Sequence, residues 1–470
     1  MKFGKTKTDK TILNSILVIV GFIFNKAISF IMIPVLTRIL TTSDYGKIST
    51  YAAWMALLAY IIGMALEYSV RNAYIDYKQD MERYMSALYG LSIVGASIIG
   101  VIIFSANHWF THQMNDVLCI CCILHAYVHA LINYMNMKYT MYEQYIKRVS
   151  ILVLPNLLSS IIGIVLIVLL KDNKYMGRIW GYIFVFIPLG IFILVSQIKK
   201  GKTFYDRSYW KYALVISLPM IAHGLSNVVL NNFDRILLSN LRNDSEAGIY
   251  SLVYNFSMIA IAFTTAIENI WIPWFTKNME KGNYKAINKL VNVYIYVVVI
   301  IMCGILMVAP EVLMLMSAKE YWSGKIIIAP IVLSSFMIFL YSLHVAVEIY
   351  YKSSKYIAFN TFIAALLNII LDVILIPYFG VLGAAYTTLF SYMLSFLMHY
   401  RYSKKLNKDL YPFKTYVLPL LIVSIMTGIS YLFLEKWIVR WGIAVVLGVI
   451  IIIAFINRNK IVNLLKEREV

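Results

Sequence analysis

Lys26 and Arg235 are basic residues embedded in long apolar runs, and that placement is where chemistry has to be sought. A lysine at bilayer depth costs roughly 2.5–3.5 kcal/mol or more unless it faces water or a partner. Lys26, with Asn25 beside it, therefore reads either as a cation lining a polar cavity or as half of a structural ion pair. Arg235 follows Asp234, with Asn231 and Asn232 a turn earlier. Adjacent helical residues point about 100° apart, so Asp234 and Arg235 need not pair. An arginine fork suits phosphate, and an arginine at a helix end reaches equally well for lipid headgroups. Both readings stand for Arg235 and for Arg38. His223, next to Gly224 and after Pro219, is either a titratable ligand or a neutral core imidazole.

Glu67, Asp234, Glu268, Glu348 and Asp372 are the acids embedded in apolar runs, and they are the candidates for coupling to an ion. A structural role competes for each. Arg71 follows Glu67 at the spacing of an i, i+4 salt bridge, and Glu348 follows His344 at a spacing that permits pairing. Glu268 has no such neighbour, which makes it the stronger candidate. His125 and His129 lie one turn apart, but Ala126 occupies the place where a metalloprotease helix needs glutamate, so no metal is expected. Cys119, Cys121, Cys122 and Cys303 sit in apolar runs and read as buried thiols. With no GxxxxGK[ST] loop and no nucleophile beside a base, neither a cofactor nor an enzymatic activity is expected.

The elements that carry these residues are membrane helices. The chain is 61% hydrophobic and 14% charged, with mean hydropathy +0.75, where soluble domains average roughly 45–50% apolar and 25% charged. Apolar runs near 11–37, 48–69, 85–105, 115–137, 149–170, 178–198, 211–238, 247–271, 288–310, 324–348, 356–376, 381–400, 413–434 and 438–457 predict about fourteen spans. They are too long for membrane strands of roughly 9–11 residues. The first run follows Lys2, Lys5, Lys7 and Lys10 and continues past Pro34, so it reads as a retained span and not a cleaved signal. The connecting segments are short, which leaves no room for a soluble catalytic domain.

A net charge of +19 invites a nucleic-acid reading, but the basic residues cluster between apolar runs, where they set topology. Nucleic acid is excluded as a partner, and membrane lipids are expected. The clusters Lys2–Lys10, Arg71–Arg83, Lys138–Arg148, Lys199–Lys211, Lys277–Lys289, Lys352 with Lys355, Arg401–Lys414 and Arg458–Arg468 all fall on one side if the span count is even. That side is expected to be the cytoplasm, with both termini inside.

The chain also repeats itself. Arg38-Ile39-Leu40 falls on Arg235-Ile236-Leu237, and Lys26 then falls on His223, each twelve residues before its arginine. Tyr45-Gly46 matches Ala247-Gly248 after a small insertion, and Ala65-Leu66-Glu67 matches Ala266-Ile267-Glu268. A six-span unit keeps both halves in one orientation, as in parallel repeats whose interface holds the substrate. The expected architecture is an all-α integral membrane protein. It has a lobe over 1–200, a second over 201–403, related by a pseudo-twofold along the membrane normal, and two accessory helices over 404–470.

The segments PVLTRILTTSDYGKISTYAAW and NTFIAALLNIILDVILIPYFGVLGAAYTTLFSY resemble Wzx-type polysaccharide and O-antigen flippases. These form the polysaccharide branch of the multidrug/oligosaccharidyl-lipid/polysaccharide exporter superfamily. Ile376-Pro377, a turn at Gly380, then Gly383-Ala384-Ala385 is the more specific motif. The resemblance spans essentially the whole chain. It implies a bacterial cytoplasmic membrane location and flipping of an undecaprenyl-diphosphate-linked oligosaccharide by alternating access. A polysaccharide polymerase and chain-length proteins would be partners. On that reading Lys26, His223, Arg38, Arg235 and Asn25 would line the central cavity, with Lys26 meeting the diphosphate or an acidic sugar. A multidrug or cation exporter of the same fold is the first alternative, although it would favour acids over Lys26 and His223. A membrane glycosyltransferase or polymerase using the same carrier is the second, and it would need a large outer loop.

Overall fold

The computed structural model describes Gly21, Phe24, Asn25, Ile28 and residues 30–456. Over these residues the chain is helical, with no strand. The helices are α1 (Phe30–Ile39), α2 (Thr42–Ile62), α3 (Glu67–Asp76), α4 (Met81–Ala106), α5 (Asp116–Met141), α6 (Tyr145–Leu169) and α7 (Tyr175–Gly201). They continue as α8 (Arg207–Leu241), α9 (Asp244–Glu280), α10 (Tyr284–Met316), α11 (Ile328–Tyr350), α12 (Ser354–Leu406), α13 (Lys414–Leu432) and α14 (Trp437–Ile456). Ten helices among the described residues are long and apolar enough to cross a membrane. In a bilayer every backbone polar group must find a partner within the protein, which is why runs of this composition become helices. The protein is a multi-pass membrane protein. Its first expected span, near 11–37, lies largely outside the described residues.

Local chemistry sets the boundaries. Thr41 caps α2, its hydroxyl accepting from the Asp44 amide at 3.1 Å; Asn115 caps α5 and Asp206 caps α8 in the same manner. Each satisfies amides that the first helical turn leaves without carbonyls. Between α2 and α3, Met64 and Ala65 adopt φ of 49° and 50°, a left-handed conformation that L side chains tolerate poorly. The Tyr134 hydroxyl donates to the Gly63 carbonyl at 2.6 Å beside this break. The runs near 356–376 and 381–400 share α12, in which Gly380 alone leaves helical geometry (φ 52°, ψ −130°) three residues after Pro377. A Cβ at Gly380 would be strained by that φ and would lie 2.1 Å from the Glu246 carboxylate.

The contacts divide the chain into two compact units. One contains the described residues up to Ser251 together with Thr361–Ala384; the other contains Leu252–Asn360 and the chain from Ala385 onward. In the first, α2 packs on α5 and α8, and α7 packs on α4, α5 and α6. Its core runs through Tyr84, Tyr89, Leu131 and Tyr134, and α2 meets α8 through Ala53, Leu57 and Ile236. Residues 201–251, which the repeat places in the second lobe, thus pack within this unit. In the other unit α10 packs against α11, α13 and α14. Arg440 of α14, fully buried, donates to the carbonyls of Met307 (2.8 Å) and Phe433 (3.0 Å) and pairs with Glu311.

Candidate functional site

The repeat becomes a contact where α2 and α9 begin. Asn243 accepts from the Glu246 amide at 2.9 Å, as Thr41 does from that of Asp44. The same offset along the chain separates the two caps and the two glycines that follow, Gly46 and Gly248. The glycines bring the helices into backbone contact. A Cβ on Gly46 would lie 1.7 Å from the Asp244 carbonyl oxygen and 3.0 Å from the Gly248 nitrogen; one on Gly248 would lie 2.2 Å from the Thr42 carbonyl oxygen and 2.9 Å from the Gly46 nitrogen. The Thr42 and Ser245 hydroxyls close this crossing at 2.6 Å.

α8 runs beside it. The Thr50 hydroxyl of α2 donates to the Arg235 carbonyl at 3.4 Å. Arg235 is half-buried, and its guanidinium donates to Asn232 one turn earlier at 2.9 Å. Asp234 is buried, and the Tyr250 hydroxyl of α9 donates to its carboxylate. Asp234 bonds Tyr250 and Arg235 bonds Asn232, which their angular separation on a helix permits. Arg38 is exposed at the end of α1. Asn25 accepts from the Asn156 amide of α6 at 3.2 Å. Lys26 and the His223 side chain lie outside the described residues; the backbone at His223 is within α8.

The acids divide differently from expectation. The Glu67–Arg71 salt bridge is absent among the described residues, because Glu67 opens α3 half-buried while Arg71 is exposed. Glu268 accepts from the Ser342 hydroxyl of α11 at 2.5 Å. Glu348 does not pair with His344. Its partner is His399 of α12, at 2.9 Å, and His344 instead bonds Ser403 (2.6 Å) and Tyr416 (3.0 Å). Side chains on the facing helices reach each ring more directly than one helical turn allows. Asp372 is fully buried on α12, one turn after the equally buried Asn368. His125 packs among Tyr51, Tyr182 and Phe186, and no cluster of three metal-ligating side chains occurs among the described residues.

Sequence reasoning missed His399, Ser403 and Tyr416, which the fold collects around the expected pair. The available signal was a histidine inside the last apolar stretch before a basic loop. It also treated Lys138 as a topology marker only. Lys138 is buried, donating to Glu82 at 2.7 Å and to Gln197 at 3.3 Å.

Helices of this length and polarity, broken at Gly380 and crossed at Gly46 and Gly248, define a polytopic α-helical membrane protein. The family model described as "Polysaccharide biosynthesis protein" matches residues 12–279, more than half of the chain, and the chain belongs to that family. It is 21% identical to "Capsular polysaccharide biosynthesis protein CapF" of Staphylococcus aureus, covering 82% of this chain and 98% of that one. It is 25% identical to "Probable low-salt glycan biosynthesis flippase Agl15" of Haloferax volcanii over 45% of each. The fold is similar to that of "Lipid II flippase MurJ, inward closed conformation", with a TM-score of 0.73 and 14% identity over 94% of this chain and 98% of that chain.

Proposed function

We propose that this protein is a flippase that carries a lipid-linked oligosaccharide, on an undecaprenyl-diphosphate carrier, from the inner to the outer leaflet of a bacterial cytoplasmic membrane. The observation that carries the reading is the crossing of α2 and α9 at Gly46 and Gly248, which joins repeat-related helices by backbone contact and small polar groups alone. Such a contact separates without exposing a large apolar face, as alternating access between two repeat lobes requires. Family membership supplies the glycan. The name of Agl15 as a probable glycan flippase and the likeness of fold to MurJ point the same way.

On this reading the lobes are 1–200 and 201–403, fourteen helices in all, with both termini cytoplasmic. Lys26 meets the diphosphate or an acidic sugar, and His223, Arg38, Arg235 and Asn25 extend the cavity lining. An ion gradient resets the cycle through one or more of Glu268, Asp234, Glu67, Glu348 and Asp372. The protein performs no covalent chemistry, and a polymerase would receive its product. The deciding experiment is flipping of a fluorescent undecaprenyl-diphosphate oligosaccharide in proteoliposomes. Protein-dependent movement of labelled carrier to the opposite leaflet is expected. Export of small cations with no carrier movement would instead establish the multidrug-type reading.

A further inference from the structure

Glu348 and His399 form the most completely enclosed ion pair among the described residues, with side-chain exposures of 0% and 1%. The His399 Nδ1 lies 2.9 and 3.0 Å from the two Glu348 carboxylate oxygens and is the only described donor to them. A buried carboxylate with a single neutral N–H donor is poorly compensated, whereas an imidazolium in the same place cancels its charge.

The surroundings separate this pair from its neighbours. His344, one turn before Glu348, is saturated. The Ser403 hydroxyl donates to the Tyr400 carbonyl at 3.0 Å, so His344 Nδ1–H donates to Ser403, leaving Nε2 to accept from the Tyr416 hydroxyl. That fixes His344 as the neutral Nδ1–H tautomer and gives it a structural task, tying α11 to α12 and α13. Tyr341 stacks on His399 at 5.5 Å between centroids, Tyr356 lies within electrostatic reach of Glu348, and Tyr400 and Tyr411 edge the His344 ring. Lys404, within electrostatic reach of His344, faces the carbonyls of Lys408 (2.7 Å) and Leu410 (2.5 Å), with Asp409 beside it.

We propose that Glu348 and His399 together bind one exchangeable proton, and that this proton latches the end of α11 to the closing turns of α12. Release is a simple acid dissociation: the imidazolium loses its proton, and the carboxylate keeps its charge beside a neutral ring. The bound state is an ion pair, and the free state is an uncompensated buried charge that loosens the two helices. Coupling of this latch to transport rests on the flippase reading above; the proton site itself does not.

The test uses the purified full-length protein in lipid nanodiscs, with histidine ring-labelled by carbon-13 and infrared difference spectra taken between about pH 5 and about pH 9, a span around the ordinary imidazole range. A ring-protonation signal is expected that is lost in H399Q, altered in E348Q and kept in H344Q. The protection of residues 395–403 against hydrogen–deuterium exchange, corrected for the intrinsic base catalysis of exchange, should fall with pH in the wild type and be lower at every pH in E348Q. Should H399Q fail to fold, E348Q carries the same comparison. A wild-type difference spectrum unchanged by H399Q or E348Q, or corrected protection that is independent of pH, overturns the site. Intact titration with no carrier flipping would overturn the function and leave the site standing.

Discussion

Gly46 and Gly248 touch backbone to backbone: a Cβ on either would lie 3.0 or 2.9 Å from the other's nitrogen. A methyl group at either place overlaps a carbonyl oxygen, and overpacking of this kind costs about 1–3 kcal/mol. We expect Gly46→Ala and Gly248→Ala each to weaken the α2–α9 crossing. In the flippase reading they bias the protein toward its outward-open state. Cysteines at Thr42 and Ser245, whose hydroxyls are 2.6 Å apart, should cross-link in the wild-type background and several-fold less in either alanine variant. Equal cross-linking in all three would show that the crossing is not the moving contact.

The clustering of basic residues predicts orientation. A cysteine at His112 or Asn243, both exposed, should react with an impermeant thiol reagent added outside intact cells, and one at Lys408 should react only after permeabilisation. The reverse pattern would invert the topology and put the α2–α9 crossing on the cytoplasmic side.

Lys26 is placed by sequence alone, so its role has to be read from phenotype. Lys26→Ala should abolish surface polysaccharide at normal protein level, and Lys26→Arg should retain part. Normal polymer in the alanine variant removes Lys26 from the mechanism. Loss of the protein itself would point to a structural ion pair.

Arg440 supplies a stability prediction. Truncating one member of a buried ion pair costs about 3–5 kcal/mol, because the remaining groups lose their partner. Arg440→Met leaves Glu311 and the carbonyls of Met307 and Phe433 without it. A clear drop in the thermal unfolding midpoint in detergent is expected, with Glu311→Gln milder, since the carbonyl bonds survive. An unchanged midpoint in Arg440→Met would mean that α14 is held by its apolar contacts alone.

The helical architecture was legible because hydropathy reports burial in lipid directly; the break at residues 63–66, inside the run 48–69, was not, since its residues are as apolar as the helices they join. The correspondence of Gly46 with Gly248 was legible too, since a close backbone approach leaves only one residue type to choose. Partners of charged side chains were not. Spacing along one helix suggested Glu67 with Arg71 and His344 with Glu348, but neither pair forms among the described residues. A facing helix brings side chains closer than a turn of the same helix does, and sequence spacing carries no record of which helices face. His399 lies far from Glu348 along the chain, so only the fold could join them.

The crossing of α2 and α9 has the form of an isologous interface folded into one chain. In an unduplicated half-length ancestor, one glycine and one capped helix start would meet their own copies, so association would need no second surface. A change at that glycine would then have struck both sides of the contact at once. Fusing two copies removes that penalty, and each side becomes free to drift. Thr41 capping one helix where Asn243 caps the other, and lysine at 26 where the aligned position 223 holds histidine, are the marks that such freedom would leave.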